Sequence, residues 1–335
     1  MSHLAARAGL LQVCLAGVLW GTGGLAVQVV RDAAPIPVLT LSAWRLAIAA
    51  VVLLAAVGWL RRGAATRRLL RRHPGRVVLV GLGTAAYQAL YFGSVVTAGV
   101  TVATVVSLGL APVLLTIATA VRTRTVPSAG RVAVLATALL GLVLVTGSAH
   151  AGETGPHPGW GLLLAAGSGT AYALATALGE PLARAGDPLA LTTLTTTVGA
   201  AGLLPLGAGA GLASGHLAAA DPVVLGTLAY LGVATMALAY GLFYAGLRTT
   251  DAGAAVVATL LEPVTAALVA AAVLGERIGT AGLIGTGLIL LAVGGLGRRA
   301  AGRPSTPVPT RLARRLPTSR IEVTPAGTHG RDGAE

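Results

Sequence analysis

Ten apolar runs, each long enough to cross a bilayer, divide this chain of 335 residues and leave it few ways to fold. A helix needs about 20 mostly apolar residues to span a hydrocarbon core roughly 30 Å thick. In lipid the backbone must also satisfy its own hydrogen bonds, which a helix does. The runs lie at 8–30, 37–60, 77–97, 100–121, 132–149, 159–180, 188–209, 222–247, 252–274 and 278–297. The first is too long for the apolar core of a signal peptide and its pattern recurs later, so it is read as a helix. Only 10% of residues are charged, against roughly 25% in soluble domains. The expected fold class is therefore an all-α membrane protein.

A net charge of +13 resembles a nucleic-acid signal until the charges are placed. All 24 basic residues are arginines, and apart from Arg45 they sit near the ends of the apolar runs, in short loops and at the C-terminal end. Basic loops between apolar runs mark the cytoplasmic face of a membrane protein. With the N-terminus inside, that face collects Arg7, the seven arginines from Arg61 to Arg76, Arg122, Arg124, Arg131, Arg184, Arg248, Arg298 and Arg299. The opposite face holds only Arg31 and Arg277. Fifteen against two predicts a multi-pass protein of the cell inner (plasma) membrane with both termini cytoplasmic, and no nucleic-acid partner. Residues 298–335, rich in Pro, Thr and Arg without periodicity, read as a disordered cytoplasmic tail. A single cysteine, Cys14, leaves no intrachain disulfide and no thiolate zinc site.

The chain also repeats itself. Tyr87, Tyr91 and Gly93 in the third span are spaced as Tyr240, Tyr244 and Gly246 are in the eighth. Downstream come Leu110-Ala111-Pro112-Val113 and Leu261-Glu262-Pro263-Val264. The fifth and tenth spans share Gly141-Leu142-Val143-Leu144 and Gly287-Leu288-Ile289-Leu290, and the first and sixth share Gly21-Thr22 and Gly169-Thr170. The order of these matches carries the signal. Five is odd, so the second set of helices must be inverted relative to the first. Inverted repeats are a common architecture of secondary transporters, with the site at the interface between halves near the midplane.

These motifs resemble the EamA-type ten-helix carriers of the drug/metabolite transporter superfamily, over roughly residues 10–297. The best segment runs from Leu260 through Glu262-Pro263 to Leu268, then Leu274-Gly275-Glu276-Arg277 and Gly282 to Leu290. Trp20-Gly21-Thr22 fits as well, whereas the sixth span carries Ser168 where the pattern has Trp. The resemblance implies two five-helix repeats, 8–149 and 159–297, and export or exchange of amphipathic metabolites such as amino acids.

Glu262 is the leading candidate residue, because an ionisable group midway along a span costs about 2.5–3.5 kcal/mol by insertion scales. It suits proton coupling or cation recognition; the competing reading is a neutral Glu tying helices together. Pro263 beside it should free a carbonyl one turn earlier. Arg45, in the second span, would bind a substrate carboxylate, pair with Glu262, or snorkel. Tyr87 with Tyr91, and Tyr240 with Tyr244, each share a helix face and are expected on opposite walls of one cavity, joined by Gln88 and Tyr172. Trp20, before Gly21, Gly23 and Gly24, is a wall or hinge, although small residues more often mean close helix contact.

Other groups read as structural. Thr192, Thr193, Thr195, Thr196 and Thr197 surround the seventh helix and should bond backbone carbonyls. Asp187, Asp221 and Asp251 precede helices as N-caps. His150, Glu153 and His157 in one loop are a poor metal site. No zinc-protease, hydrolase or P-loop motif is present, so neither an enzyme nor a self-powered pump is expected, and no cofactor or metal. The alternatives to a carrier are a channel or a non-transporting scaffold. The partners implied are a small-molecule substrate and the lipid bilayer, with the chain as monomer or homodimer.

Overall fold

A computed structural model describes residues 3–149, 155–275 and 277–302; the side chains of 3, 149 and 298–302 are not described. Residues 150–154, Glu276 and 303–335 lie outside that set, and with them the expected roles of His150 and Glu153 and most of the expected tail. Every regular element among the described residues is helical. Ten helices are long and apolar enough to span a membrane, one at each expected run. They are His3–Ala33, Val38–Trp59, Pro74–Ala98, Val100–Thr123, Ala129–Ala149, Pro158–Ala185, Pro188–Ser214, Pro222–Leu247, Ala252–Leu274 and Thr280–Gly302. The last passes its expected end at 297 and takes in the first residues read as tail. An eleventh helix, Gly63–Arg72, occupies the segment read as a loop between the second and third spans.

Span boundaries follow local chemistry. Asp187, Asp221 and Asp251 accept hydrogen bonds from the N–H groups of Ala190, of Val223 and Val224, and of Ala254, as helix caps should. Thr192, Thr193, Thr195 and Thr197 each bond the carbonyl four residues back, so their hydroxyls are spent within the seventh helix. The second and fourth spans end where Arg61 (φ 53°) and Arg124 (φ 52°) turn left-handed. The following N–H groups reach back to the carbonyls of Val57 and Ala120, closing both helices in a Schellman turn.

Packing displays the inverted repeat. The third span lies along the sixth, and the eighth along the first; the fourth meets the sixth as the ninth meets the first. The second packs on the seventh and the fifth on the tenth, pairs that map onto themselves when the halves are exchanged. At the fifth–tenth crossing, a Cβ on Gly141 would lie 2.7 Å from the Gly285 carbonyl oxygen, and one on Gly285 2.7 Å from that of Gly141. Close backbone approach of this kind is how membrane helices associate without a hydrophobic drive. Leucines and valines such as Val51, Leu140, Leu163, Val273 and Leu291 point outward and exposed, where lipid tails would cover them. The protein is all-α, with ten transmembrane helices in two inverted five-helix repeats.

Candidate functional site

The ninth span is not one helix. It runs as Ala252–Ala258, breaks at Thr259–Leu260, and resumes as Leu261–Leu274. At the break the N–H groups of Leu260 and Glu262 bond three residues back, to Val257 and Thr259, instead of four. Two side chains cause this. Pro263 has no N–H and its ring crowds the carbonyl of Thr259. The Thr259 hydroxyl, in turn, donates to the Val256 carbonyl at 2.8 Å, competing with the helix ladder. Glu262 opens the second segment, partly buried. The first span passes so close that a Cβ on Gly21 would collide with the Glu262 carbonyl.

Arg45 is buried in the second span and reaches the eighth, where its Nη2 donates to the Thr235 hydroxyl at 3.1 Å. Thr235 belongs to a π-helical stretch, Leu231–Leu238, embedded in that span. Such stretches are rare and often mark functional sites. Arg45 Nε is buried without a hydrogen-bond partner. Of the alternatives for Arg45, an ion pair with Glu262 is not formed. The ion pairs among the described residues are Arg62–Asp187, Arg131–Asp251 and Arg184–Glu180.

The aromatic side chains gather between the halves. Trp20 meets Tyr240 edge-on with centroids 5.1 Å apart and touches Phe243 at 5.6 Å. Tyr240 and Tyr244 lie 6.3 Å apart, as Tyr87 and Tyr91 do at 6.2 Å in the other half. Tyr172 stacks on Tyr87 at 5.0 Å and shares a 3.1 Å hydrogen bond with Thr259 at the helix break. Thr84, Tyr87, Tyr172, Ala175, Thr176, Tyr240, Phe243 and Tyr244 enclose a cavity of about 10 Å³. That is room for about one water, so this cavity does not hold a metabolite in the arrangement described.

The repeat explains where Trp20 went in the first wall. Its counterpart, Ser168, donates to the Tyr87 carbonyl at 3.0 Å and leaves the ring uncovered. Tyr172, one turn further along the sixth span, supplies the missing aromatic face. The halves thus keep an aromatic clamp on each repeated tyrosine while drawing it from different registers.

Four of the nine residues singled out from sequence line the cavity: Tyr87, Tyr172, Tyr240 and Tyr244. Trp20 backs it through Tyr240, Glu262 stands beyond Tyr172 and Thr259, and Tyr91 bonds Thr104 at 2.9 Å. Gln88 is buried with neither side-chain atom partnered and does not reach the cavity. Sequence reasoning missed Phe243, Thr84, Thr176, Thr235 and Thr259. A signal existed for Phe243, which shares the face of Tyr240 three residues on; nothing in a threonine's sequence position announces that its hydroxyl will meet a helix break. Of the glycines beside Trp20, Gly21 is at a close crossing, Gly23 makes ordinary contacts, and Gly24 faces open space.

Ten apolar helices in two inverted repeats, closing on an aromatic centre with one acid and one base, define a multi-pass membrane transporter. Residues 7–147 and 159–298 each match the EamA-like transporter family, and the chain belongs to that family. An uncharacterized transporter of Bacillus subtilis (strain 168), YwfM, is 30% identical over 291 residues, 84% of this chain and 91% of that protein. A solved crystal structure 22% identical in sequence superposes with a TM-score of 0.71, covering 87% of this chain and 98% of the other, and shows the same fold.

Proposed function

We propose that the protein is a secondary transporter of the cell inner (plasma) membrane, with both termini cytoplasmic. It moves small metabolites or amphipathic compounds, amino-acid-like or drug-like, by export or exchange. The moving parts are the repeats 8–149 and 159–297, which pass through alternating access, and Glu262 carries a coupled proton. The observation that carries this reading is the placement of Glu262 on a broken helix, whose break residue Thr259 shares a hydrogen bond with Tyr172 of the aromatic cavity lining. Intramembrane ionisable groups on discontinuous helices mark ion and substrate pathways in carriers. The tyrosines offer an apolar face and a hydroxyl together, which fits an amphipathic ligand. Arg45, with Nε unpartnered, supplies a donor for a carboxylate.

A thermal-shift screen of purified protein against amino acids, amines and drug-like cations identifies the ligand. Proteoliposomes then report whether an imposed pH gradient drives its accumulation. Glu262→Gln is expected to insert and fold normally, still bind in the thermal-shift assay, and lose gradient-driven accumulation. Undiminished accumulation by this variant removes Glu262 from the mechanism. Non-saturable flux that competitors do not reduce would replace the carrier with a channel.

A further inference from the structure

The helix Gly63–Arg72 plays no part in the transport site and carries a surface of its own. Its sequence, GAATRRLLRR, puts Arg67, Arg68, Arg71 and Arg72 on one face, at positions one and four residues apart. Leu69 points the other way and is buried, 3.3 Å from where a Cβ on Gly186 would lie. Those four arginines are exposed, as are Arg61 and Arg76 at either end of the segment. Within the segment only Arg62 is ion-paired among the described residues, to Asp187 at 3.0 Å. The segment itself contains no acid, and among the described residues Asp187, already paired with Arg62, is the carboxylate that meets it. Several like charges are therefore held together by packing, and among the described residues Arg67, Arg68, Arg71 and Arg72 form no ion pair.

Apolar side chains flank the charge. Trp59 at the end of the second span and Leu60 just after it are exposed, as are Leu70 of the helix and Val78 and Leu79 of the third span. Tryptophan concentrates where membrane spans leave the hydrocarbon. The helix is tied to that level on both sides: Trp59 is followed at once by the left-handed turn at Arg61, and Pro74 begins the next span straight after it. A short amphipathic helix with an arginine face and apolar anchors lies in the interfacial plane, where guanidinium forks meet phosphodiester oxygens.

We propose that Gly63–Arg72 is a binding site for anionic phospholipid headgroups of the leaflet on the arginine-rich side. The lipid phosphates supply the counter-charge for the arginines left without an ion pair, and the bound leaflet fixes the end of the second and third spans.

The test is native mass spectrometry of the full chain, released from detergent with equimolar phosphatidylglycerol and phosphatidylcholine. Wild type should retain phosphatidylglycerol in preference. Each basic residue at an anionic surface is worth about 1 kcal/mol, or about fivefold, so Arg68→Gln/Arg71→Gln should cut that preference about thirtyfold. Replacing both by lysine should restore most of it, which separates charge from folding, and a thermal melt confirms that the variants are folded. Equal retention of the two lipids by wild type, or an unchanged preference in the glutamine variant, overturns the proposal. So does displacement of the lipid by millimolar inorganic phosphate, which would make the patch a site for free anions.

Discussion

Replacing Gly21 by alanine adds a single methyl group where the first span crosses the break in the ninth. That methyl would collide with the Glu262 carbonyl oxygen, lie 2.6 Å from Thr265 Cβ and lie 3.1 Å from the Ala266 backbone nitrogen. Carbon atoms in contact normally sit about 3.5–4.0 Å apart. Two of these three neighbours are backbone, so no rotamer change relieves the clash; the two spans must part by about 1 Å. Overpacking of this kind costs about 1–3 kcal/mol. Gly24→Ala, three residues along the same helix, is the control. Nothing lies within 4 Å of its added Cβ, and relative to glycine the alanine favours the helix by roughly 0.5–1 kcal/mol. The inverted repeat adds a second arm, because a Cβ on Gly169 would lie 2.7 Å from the Ser107 carbonyl and 3.1 Å from Leu110 Cβ. Thermal unfolding of the detergent-purified variants should therefore place Gly21→Ala and Gly169→Ala below wild type, and Gly24→Ala level or above. If Gly21→Ala and Gly24→Ala melt together, the close crossing at Glu262 is refuted, and with it the steric account of how the acid is positioned.

Tyr172→Phe keeps the stack on Tyr87 and removes only the hydrogen bond to Thr259; it should cost about 0.5–1.5 kcal/mol in thermal stability, whereas Tyr172→Ala, losing the ring too, should cost about 3 kcal/mol or more. Arg124→Gly removes a side chain from a left-handed turn at φ 52° and should raise the melting temperature, the relief being about 1 kcal/mol; an unchanged or lower value would mean that the charge at that helix end outweighs the strain. Asp187 both caps the seventh span and pairs with Arg62. Asp187→Asn should be almost neutral, since asparagine caps as well and the pair is exposed, while Asp187→Ala should lose about 1 kcal/mol on denaturation.

The membrane fold was legible because lipid imposes one rule on every span. Run length found ten helices, and the order of repeated motifs found the inversion. The segment 61–76 defeated that reading. Its hydropathy is that of a loop, and its helix depends on Leu69 docking near Gly186, a residue more than a hundred positions away in sequence. The tyrosines were legible for the same reason as the fold, since spacing of four on a helix fixes a face. The alternatives for Arg45 could not be narrowed from sequence, because charge in the middle of two spans says nothing about which neighbour each meets; Arg45 donates to Thr235. Gln88 failed by adjacency, since one residue from Tyr87 is about 100° around the helix.

The two halves share a plan but not a mechanism of bending, and the difference traces to single residues. Pro112 and Pro263 occupy matching places, yet the fourth span runs unbroken from Val100 to Thr123 while the ninth breaks. Both prolines remove one backbone donor. What differs is the residue four positions earlier: Thr259 captures the Val256 carbonyl and binds Tyr172, whereas Leu108 has no hydroxyl with which to compete. The π-helical stretch around Thr235 likewise lies in the second half, and the matching third span is a regular α-helix. Irregular backbone, the intramembrane acid and the threonine that holds Arg45 are thus concentrated in one repeat. In the proposed cycle the halves exchange shapes, with Arg45 carried by the first half and Glu262 and the irregular backbone by the second. The break in the ninth span, at least, follows from a threonine placed four residues ahead of a proline, a pairing that Leu108 and Pro112 do not reproduce.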